Sequence, residues 1–76
     1  MAAFSVPEDI VDEALKNAKN LVKRISPDDY ATLKLYWQKK NYALIAFVLR
    51  KYGIEFKGLT YLEVLVDELI RMREQK

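Results

Sequence analysis

The spacing of apolar residues in the first third of the chain most constrains what the chain can fold into. Apolar side chains recur there at three- and four-residue intervals, which places them on one stripe of a helix with 3.6 residues per turn. These residues are Ile10, Val11, Ala14, Leu15, Ala18, Leu21, Val22 and Ile25. Acidic residues cluster at the start of this segment and basic residues towards its end, as the helix dipole favours. The pattern predicts an amphipathic helix that must bury its stripe against another element.

Capping residues mark the ends of the first two helices. Ser5 and Glu8 have the spacing of a capping box at the start of the first helix. Ser26 precedes Pro27, and a proline disfavours the α conformation in the residue before it. Ser26 is therefore predicted to end the first helix and to cap the second.

Similar residues divide the second half of the chain. Asn41 is predicted to interrupt the chain or cap a third helix, and Gly53 suits the left-handed position that ends such a helix. Thr60 and Glu63 have the spacing of a second capping box. Together these patterns predict helices over residues 6–25, 27–39, 42–52 and 61–74.

The predicted fold is all-α: one domain of four helices with short connections, arranged as a bundle or an orthogonal array. Short connections lead us to expect that consecutive helices pack as neighbours, with a strongly angled crossing at Ser26. The third helix is apolar throughout residues 42–49 and is predicted to be central. The fourth helix carries one apolar stripe, formed by Leu62, Leu65, Val66, Leu69 and Met72.

The amino-acid composition bounds the functions open to the chain. It contains no cysteine and no histidine, which excludes disulfides, thiolate nucleophiles and zinc fingers. Adjacent acidic residues lie in predicted first turns or on polar faces, where they complement helix dipoles. These pairs are Glu8/Asp9, Asp12/Glu13, Asp28/Asp29 and Asp67/Glu68. We predict no enzymatic activity, no cofactor and no metal site.

The length and hydropathy pattern suggest where the protein works. No apolar run reaches the roughly 18–20 residues that cross a bilayer, and the N-terminus does not resemble a signal peptide. We expect a cytoplasmic protein with no membrane partner. The abundance of Lys and Glu together with the absence of Cys is compatible with a thermophilic source.

Charge is concentrated in the middle of the chain. Residues 34–58 carry six basic side chains and one acidic one. Aromatic residues interleave with them, and single-stranded nucleic-acid binders combine cations with stacking rings in this way. This alternative function uses Lys39, Lys40, Arg50 and Lys51, with Tyr42 or Tyr36 as a stacking ring.

Two features weigh against the nucleic-acid alternative. The basic pairs 39–40 and 50–51 end their helices, where cations complement the dipole without any ligand. If these two helices run antiparallel, the basic ends point in opposite directions. A net charge of +2 is also small for a protein that binds phosphates.

Apolar residues outside the predicted stripes support the leading hypothesis. Leu35 and Tyr36 face away from the inward residues of the second helix, and Phe47 shares a side of the third helix with Arg50. A central third helix would instead enclose Phe47, and both alternatives remain open at this point. The leading hypothesis is a non-enzymatic protein-protein interaction module, a small accessory subunit that docks on a larger assembly or self-associates. Its predicted contact residues are Leu35, Tyr36, Lys39, Phe47 and Arg50.

Overall fold

The computed structural model describes residues 8–75, which form four α-helices. The helices are α1 (Glu8–Arg24), α2 (Pro27–Gln38), α3 (Tyr42–Lys51) and α4 (Leu59–Glu74). The predicted all-α fold is confirmed. The predicted first residue of the first helix, residue 6, and the capping role of Ser5 lie outside the described residues. Within residues 8–75, no helix combines the length and apolar character needed to cross a membrane.

Side chains cap α2 and α3 as predicted. The Ser26 hydroxyl accepts a hydrogen bond from the backbone N–H of Asp29 at 3.1 Å. The Asn41 side-chain oxygen accepts one from the N–H of Leu44 at 3.4 Å. Each bond satisfies a backbone donor that has no partner within the first helical turn.

Gly53 ends α3 in the left-handed conformation that its position predicts, with φ at +82°. The Gly53 N–H donates to the Arg50 carbonyl at 2.9 Å, and the Ile54 N–H donates to the Leu49 carbonyl at 3.1 Å. These two bonds form a Schellman motif, and the apolar residue that follows the glycine is buried. The motif turns the chain sharply away from α3.

The predicted capping box of Thr60 and Glu63 is wrong. Helix α4 begins two residues earlier than predicted, and its N-cap is Gly58, which has φ at +97° and offers no capping side chain. The Leu62 N–H donates to the Gly58 carbonyl at 3.1 Å. Thr60 therefore already lies inside the first turn, where its hydroxyl cannot act as the N-cap.

Helix α2 also ends in a Schellman motif, but here a lysine occupies the left-handed position. The φ angle of Lys40 is +56°. Its N–H donates to the Trp37 carbonyl, and the Asn41 N–H donates to the Tyr36 carbonyl. A side chain in this conformation brings Cβ close to the following carbonyl, at a cost of about 1–2 kcal/mol.

We expect Lys40→Gly to be more stable than Lys40→Ala by about 0.5–1 kcal/mol. Glycine removes the Cβ clash, and part of that gain is offset because the unfolded glycine chain has more conformations to lose. Both variants remove the same positive charge, so their difference isolates Cβ. Urea unfolding of the two variants measures it. Equal midpoints would contradict strain at Lys40.

The helices pair in an order that the short connections do not predict. Helix α1 packs most extensively against α4, and α2 packs against α3. Lys57 contacts Glu13, and Tyr61 contacts Asn17 four residues further along α1. The contacting residues advance towards the C-terminus on both segments, so α1 and α4 run parallel. The expectation that all consecutive helices pack as neighbours is correct for α2 and α3. It is wrong for the pairs α1–α2 and α3–α4, since the main partner of α1 is the last helix.

Helices α2 and α3 form an antiparallel pair. Trp37 near the end of α2 lies edge-on to Tyr42 at the start of α3, with ring centroids 6.1 Å apart. At the other end, Tyr52 accepts a hydrogen bond from the Ser26 N–H at 3.2 Å. The beginning of α2 therefore lies beside the end of α3.

The core is built mainly from α1 and α4. Its fully or almost fully buried residues are Ala14, Ala18, Leu21, Ile25, Leu33, Ile45, Val48, Leu49, Ile54, Tyr61, Leu62, Leu65, Val66 and Leu69. The predicted stripe of α4 is confirmed except at Met72, which is half-buried. On α2, Leu33 is buried while Tyr30 and Trp37 are half-buried.

The prediction that the third helix is central is wrong. Helix α3 buries one face and leaves Ala43, Leu44 and Phe47 exposed. The alternatives for Phe47 are thereby decided, because its side chain lies outside the core.

Candidate docking surface on the third helix

Helix α3 presents an apolar outer face. Ile45, Val48 and Leu49 point into the core. At about 100° per residue, Ala43 and Phe47 fall on the opposite side of the helix. The Phe47 side chain is 71% exposed, more than any other large apolar residue in the described part of the chain. Helix α3 therefore has two apolar faces, and only one of them is buried in the core.

Two adjoining hollows lie along this outer face. One, of about 400 Å³, is lined by Tyr42, Ala43, Ala46, Arg50 and Phe56. The other, of about 580 Å³, is lined by Phe47, Arg50 and Lys51. Arg50 borders both hollows and therefore lies between them. We call this combined area the α3 surface; it comprises Tyr42, Ala43, Ala46, Phe47, Arg50, Lys51 and Phe56.

Phe56 is a member of the α3 surface that the sequence did not identify as a contact residue. It lies in the connection between α3 and α4 and is 47% exposed. The Schellman turn at Gly53 redirects the chain so that Phe56 faces the outer side of α3. Helical periodicity cannot place a residue in an irregular connection, so its only sequence signal was an aromatic ring within the basic middle of the chain.

The structure brings some of the predicted contact residues together and separates others. Phe47 and Arg50 line one hollow. Leu35 lines a different hollow on the outer side of α2, and Lys39 is exposed at the end of that helix. Tyr36 is half-buried and packs against the core, so the prediction that it faces away from the inward residues of this helix is wrong. The predicted contact residues therefore do not line one common hollow.

The basic residues of the nucleic-acid alternative are divided between two ends. Because α2 and α3 are antiparallel, Lys39 and Lys40 lie beside the start of α3, whereas Arg50 and Lys51 lie at its end. Ten residues of helix separate these ends by roughly 15 Å. The Lys51 ammonium pairs with the Asp29 carboxylate at 3.0 Å.

Tyr42 is also partly committed to contacts inside the protein. Its side chain is half-buried, and its ring packs edge-on against Trp37. Tyr42 also borders the smaller hollow of the α3 surface. Stacking of a base on Tyr42 would have to use the part of the ring that these internal contacts leave uncovered.

A hydrogen-bond network anchors the end of α3 to the start of α2. The Tyr52 hydroxyl donates to the Asp29 carboxylate and accepts from the Ser26 N–H, while Lys51 Nζ also donates to Asp29. The hydrogen bond from Tyr52, followed by that from Lys51, lowers the pKa of the Asp29 carboxyl below its usual 3.8. This network positions the last turn of α3, which carries Arg50.

The Asp29 network predicts an acid-sensitive contribution to stability. The pKa of Asp29 in the folded state lies below its value in the unfolded state. The contribution of Asp29 to stability is therefore present above about pH 3.8 and is lost as the pH falls through the folded pKa. We expect the urea midpoint of Asp29→Asn to fall less between neutral and strongly acidic pH than that of the wild type.

Asp28→Asn is the matched control, since Asp28 is exposed and shares none of these hydrogen bonds. Its urea midpoint should keep the acid dependence of the wild type. Identical pH profiles for the Asp29 and Asp28 variants would contradict the network's contribution.

A further, polar hollow lies where the α3–α4 connection passes α1. It measures about 230 Å³, which is below the roughly 300–1,000 Å³ typical of small-molecule sites. Of its three charged residues, Glu13, Glu55 and Lys57, Lys57 pairs with Glu13. The described residues contain no group of three or more acidic side chains that could hold a metal ion. The α3 surface is thus the stronger candidate site.

Comparisons with known proteins add no assignment. No protein-family model, curated protein or solved structure matches this chain. Any functional interpretation therefore depends on the geometry of the α3 surface and on the charges around it.

Proposed function

We propose that this chain is a non-enzymatic helical interaction module, a small accessory subunit that docks on another protein through the α3 surface. The observation that carries the proposal is the exposure of Phe47 at the centre of an apolar helix face. Aromatic residues and arginine are enriched in the cores of protein interfaces, and both occur here side by side.

The energetic argument concerns the area left uncovered. Burying a phenylalanine side chain fully is worth about 1.5–3 kcal/mol, and most of that gain is unused at Phe47. Single exposed apolar residues are ordinary on protein surfaces. Here, however, Phe47 lies one helical turn from Ala43, and Ala43 lines the hollow bordered by Phe56, so several apolar groups share this face. Contiguous apolar areas of this kind commonly mark interaction sites.

Nucleic-acid binding is the competing function, supported by the exposure of Lys39, Lys40 and Arg50. Its weak point is the geometry described above, in which the basic residues occupy opposite ends of α3. A phosphate backbone would have to follow a path between them across the apolar outer face. The two functions differ in their dependence on Phe47 and on nuclease treatment.

Capture of partners by the tagged full chain from its source cells, with and without nuclease, tests the proposal. We expect a protein to be recovered in stoichiometric amount in both conditions by the wild type. Phe47→Ser should lose it, because the apolar anchor is gone, whereas Lys39→Glu should retain it.

Circular dichroism and urea unfolding establish that each capture variant remains folded. Recovery that disappears on nuclease treatment, or that Lys39→Glu abolishes and Phe47→Ser does not, would instead support nucleic-acid binding and overturn protein docking.

A further inference from the structure

We propose that the partner segment docked on the α3 surface is an acidic amphipathic helix, with one carboxylate placed opposite Arg50. This inference rests on the proposed docking function and assigns the chemistry of the partner. It follows from the charge of the surface, from the position of Arg50 between two hollows, and from the unfavourable contact that a second copy of this chain would make.

The surroundings of the α3 surface are basic. Residues 39–58 contain five basic side chains, Lys39, Lys40, Arg50, Lys51 and Lys57, and one acidic side chain, Glu55. Two of the five are paired within the protein, Lys51 with Asp29 and Lys57 with Glu13. In the described part of the chain, no ion pair involves Lys39, Lys40 or Arg50. Unpaired basic side chains therefore lie at both ends of the α3 surface, Lys39 and Lys40 beside the start of α3 and Arg50 at its end, which favours an acidic partner.

Arg50 is placed to recognise a carboxylate. Arg50 borders both hollows, with Phe47 lining one of them and Ala46 and Phe56 lining the other. A partner that covers these apolar groups also removes water from around Arg50. The planar guanidinium then needs a new acceptor, and a carboxylate can accept two parallel N–H bonds from it.

The paired hollows suit a helix better than an extended strand. The outer face of α3 consists of side chains and offers no free backbone edge to pair with a strand. Apolar residues spaced three or four apart on a partner helix would enter the hollows on either side of Arg50. An acidic residue on the same face would lie between those anchors.

A second copy of this chain is a poorer occupant. In a two-fold contact the same surface faces itself. The seven residues of the α3 surface include no acidic side chain, so a second copy of this surface would offer Arg50 no carboxylate. Its guanidinium would lose water without gaining a charged acceptor, which opposes association.

The test selects ligands from a displayed library of helical peptides of about 15 residues, near the length at which isolated helices begin to form. Apolar residues are fixed at helical spacing and the remaining positions are randomised. Full-length wild-type chain is the target. We expect the selected peptides to be enriched in Asp and Glu, and Arg50→Glu to weaken their binding by about tenfold or more.

A charge exchange provides the sharper control. Replacing the critical peptide carboxylate by lysine should weaken binding to the wild-type chain. The same lysine peptide should regain binding to the Arg50→Glu variant. The exchange isolates the interaction between Arg50 and the peptide carboxylate. Leu35→Ser, on the outer side of α2, should leave binding unchanged. Unfolding midpoints confirm that the exposed substitutions leave the fold intact.

The outcomes separate the partner's chemistry from the docking function itself. Peptides without acidic enrichment that nevertheless require Phe47 would overturn the acidic partner and leave docking in place. Failure to select any peptide that Phe47→Ser weakens would overturn both. Light scattering that shows a Phe47-dependent rise in mass with protein concentration would identify a second copy as the occupant and overturn the acidic helix.

Discussion

Tyr61→Ala is expected to lower the free energy of unfolding by about 3–5 kcal/mol, the range observed when large buried aromatic side chains are truncated. The Tyr61 side chain is 1% exposed and is the largest fully buried residue of the core. It lies in the first turn of α4 and reaches α1. Its removal leaves a cavity where these two parallel helices meet, and α4 has no side-chain cap there to compensate.

The companion variant Tyr61→Phe separates the ring from the hydroxyl. The Tyr61 hydroxyl accepts a hydrogen bond from Asn17 Nδ2 at 2.5 Å. Tyr61→Phe removes this bond but keeps the packing, so we expect a loss of about 0.5–1.5 kcal/mol. Urea unfolding measures both variants, with the exposed Leu59→Ala as a control near the same turn.

The size of the Tyr61→Ala effect decides whether the variant remains folded. Small domains have total stabilities of about 5–15 kcal/mol. For a stability near the lower end of that range, a loss of about 3–5 kcal/mol would leave Tyr61→Ala partly unfolded at ambient temperature, whereas Tyr61→Phe would remain folded. A midpoint for Tyr61→Ala that matches the Leu59→Ala control would contradict the assignment of Tyr61 to the core.

The local features of this fold were accessible from the sequence because each depends on neighbouring residues. Ser26 before Pro27 predicts an N-cap by steric exclusion and one hydrogen bond, and both lie within four residues. Gly53 predicts a left-handed helix end for the same reason. Even so, the capping box at Thr60 was misassigned, because Gly58 two residues earlier can begin the helix without a side-chain cap.

Tertiary pairing was not accessible in the same way. The contact of Tyr61 with Asn17 joins residues far apart in the chain, and no spacing rule relates them. The parallel arrangement of α1 and α4 depends on the path of the α3–α4 connection. That path follows from the turn at Gly53, whose presence was predictable but whose direction relative to α1 was not.

The outer face of α3 illustrates why a candidate site can be only partly predicted. A helix that is apolar all round is usually enclosed, and this expectation placed α3 at the centre. Yet a domain of this size has few elements with which to cover a helix on every side. Phe47 and Arg50 were predicted to share a surface because helical phase places them on the same side of α3. Leu35 was added to that surface only because it lies outside the inward stripe of α2. The structure places Leu35 in a separate hollow.

Alanine substitution of the apolar residues around α3 should therefore reveal one docking surface rather than two. We expect Phe47→Ala to weaken binding of the best peptide from the helical library by about thirtyfold or more, equivalent to roughly 2 kcal/mol, as for a central aromatic anchor. Leu35→Ala should change the dissociation constant by no more than about twofold, since Leu35 lies on the outer side of α2.

Phe47 and Leu35 are both exposed apolar residues on helices, so their alanine variants make a matched pair for calorimetric titration. Phe56→Ala provides an internal check, because Phe56 borders the hollow on the other side of Arg50 and should also weaken binding. Equal losses at Leu35 and Phe47 would mean that the partner wraps around both helices. Binding that tolerates Phe47→Ala and is lost with Leu35→Ala would show that the docking site lies on α2 and not on α3.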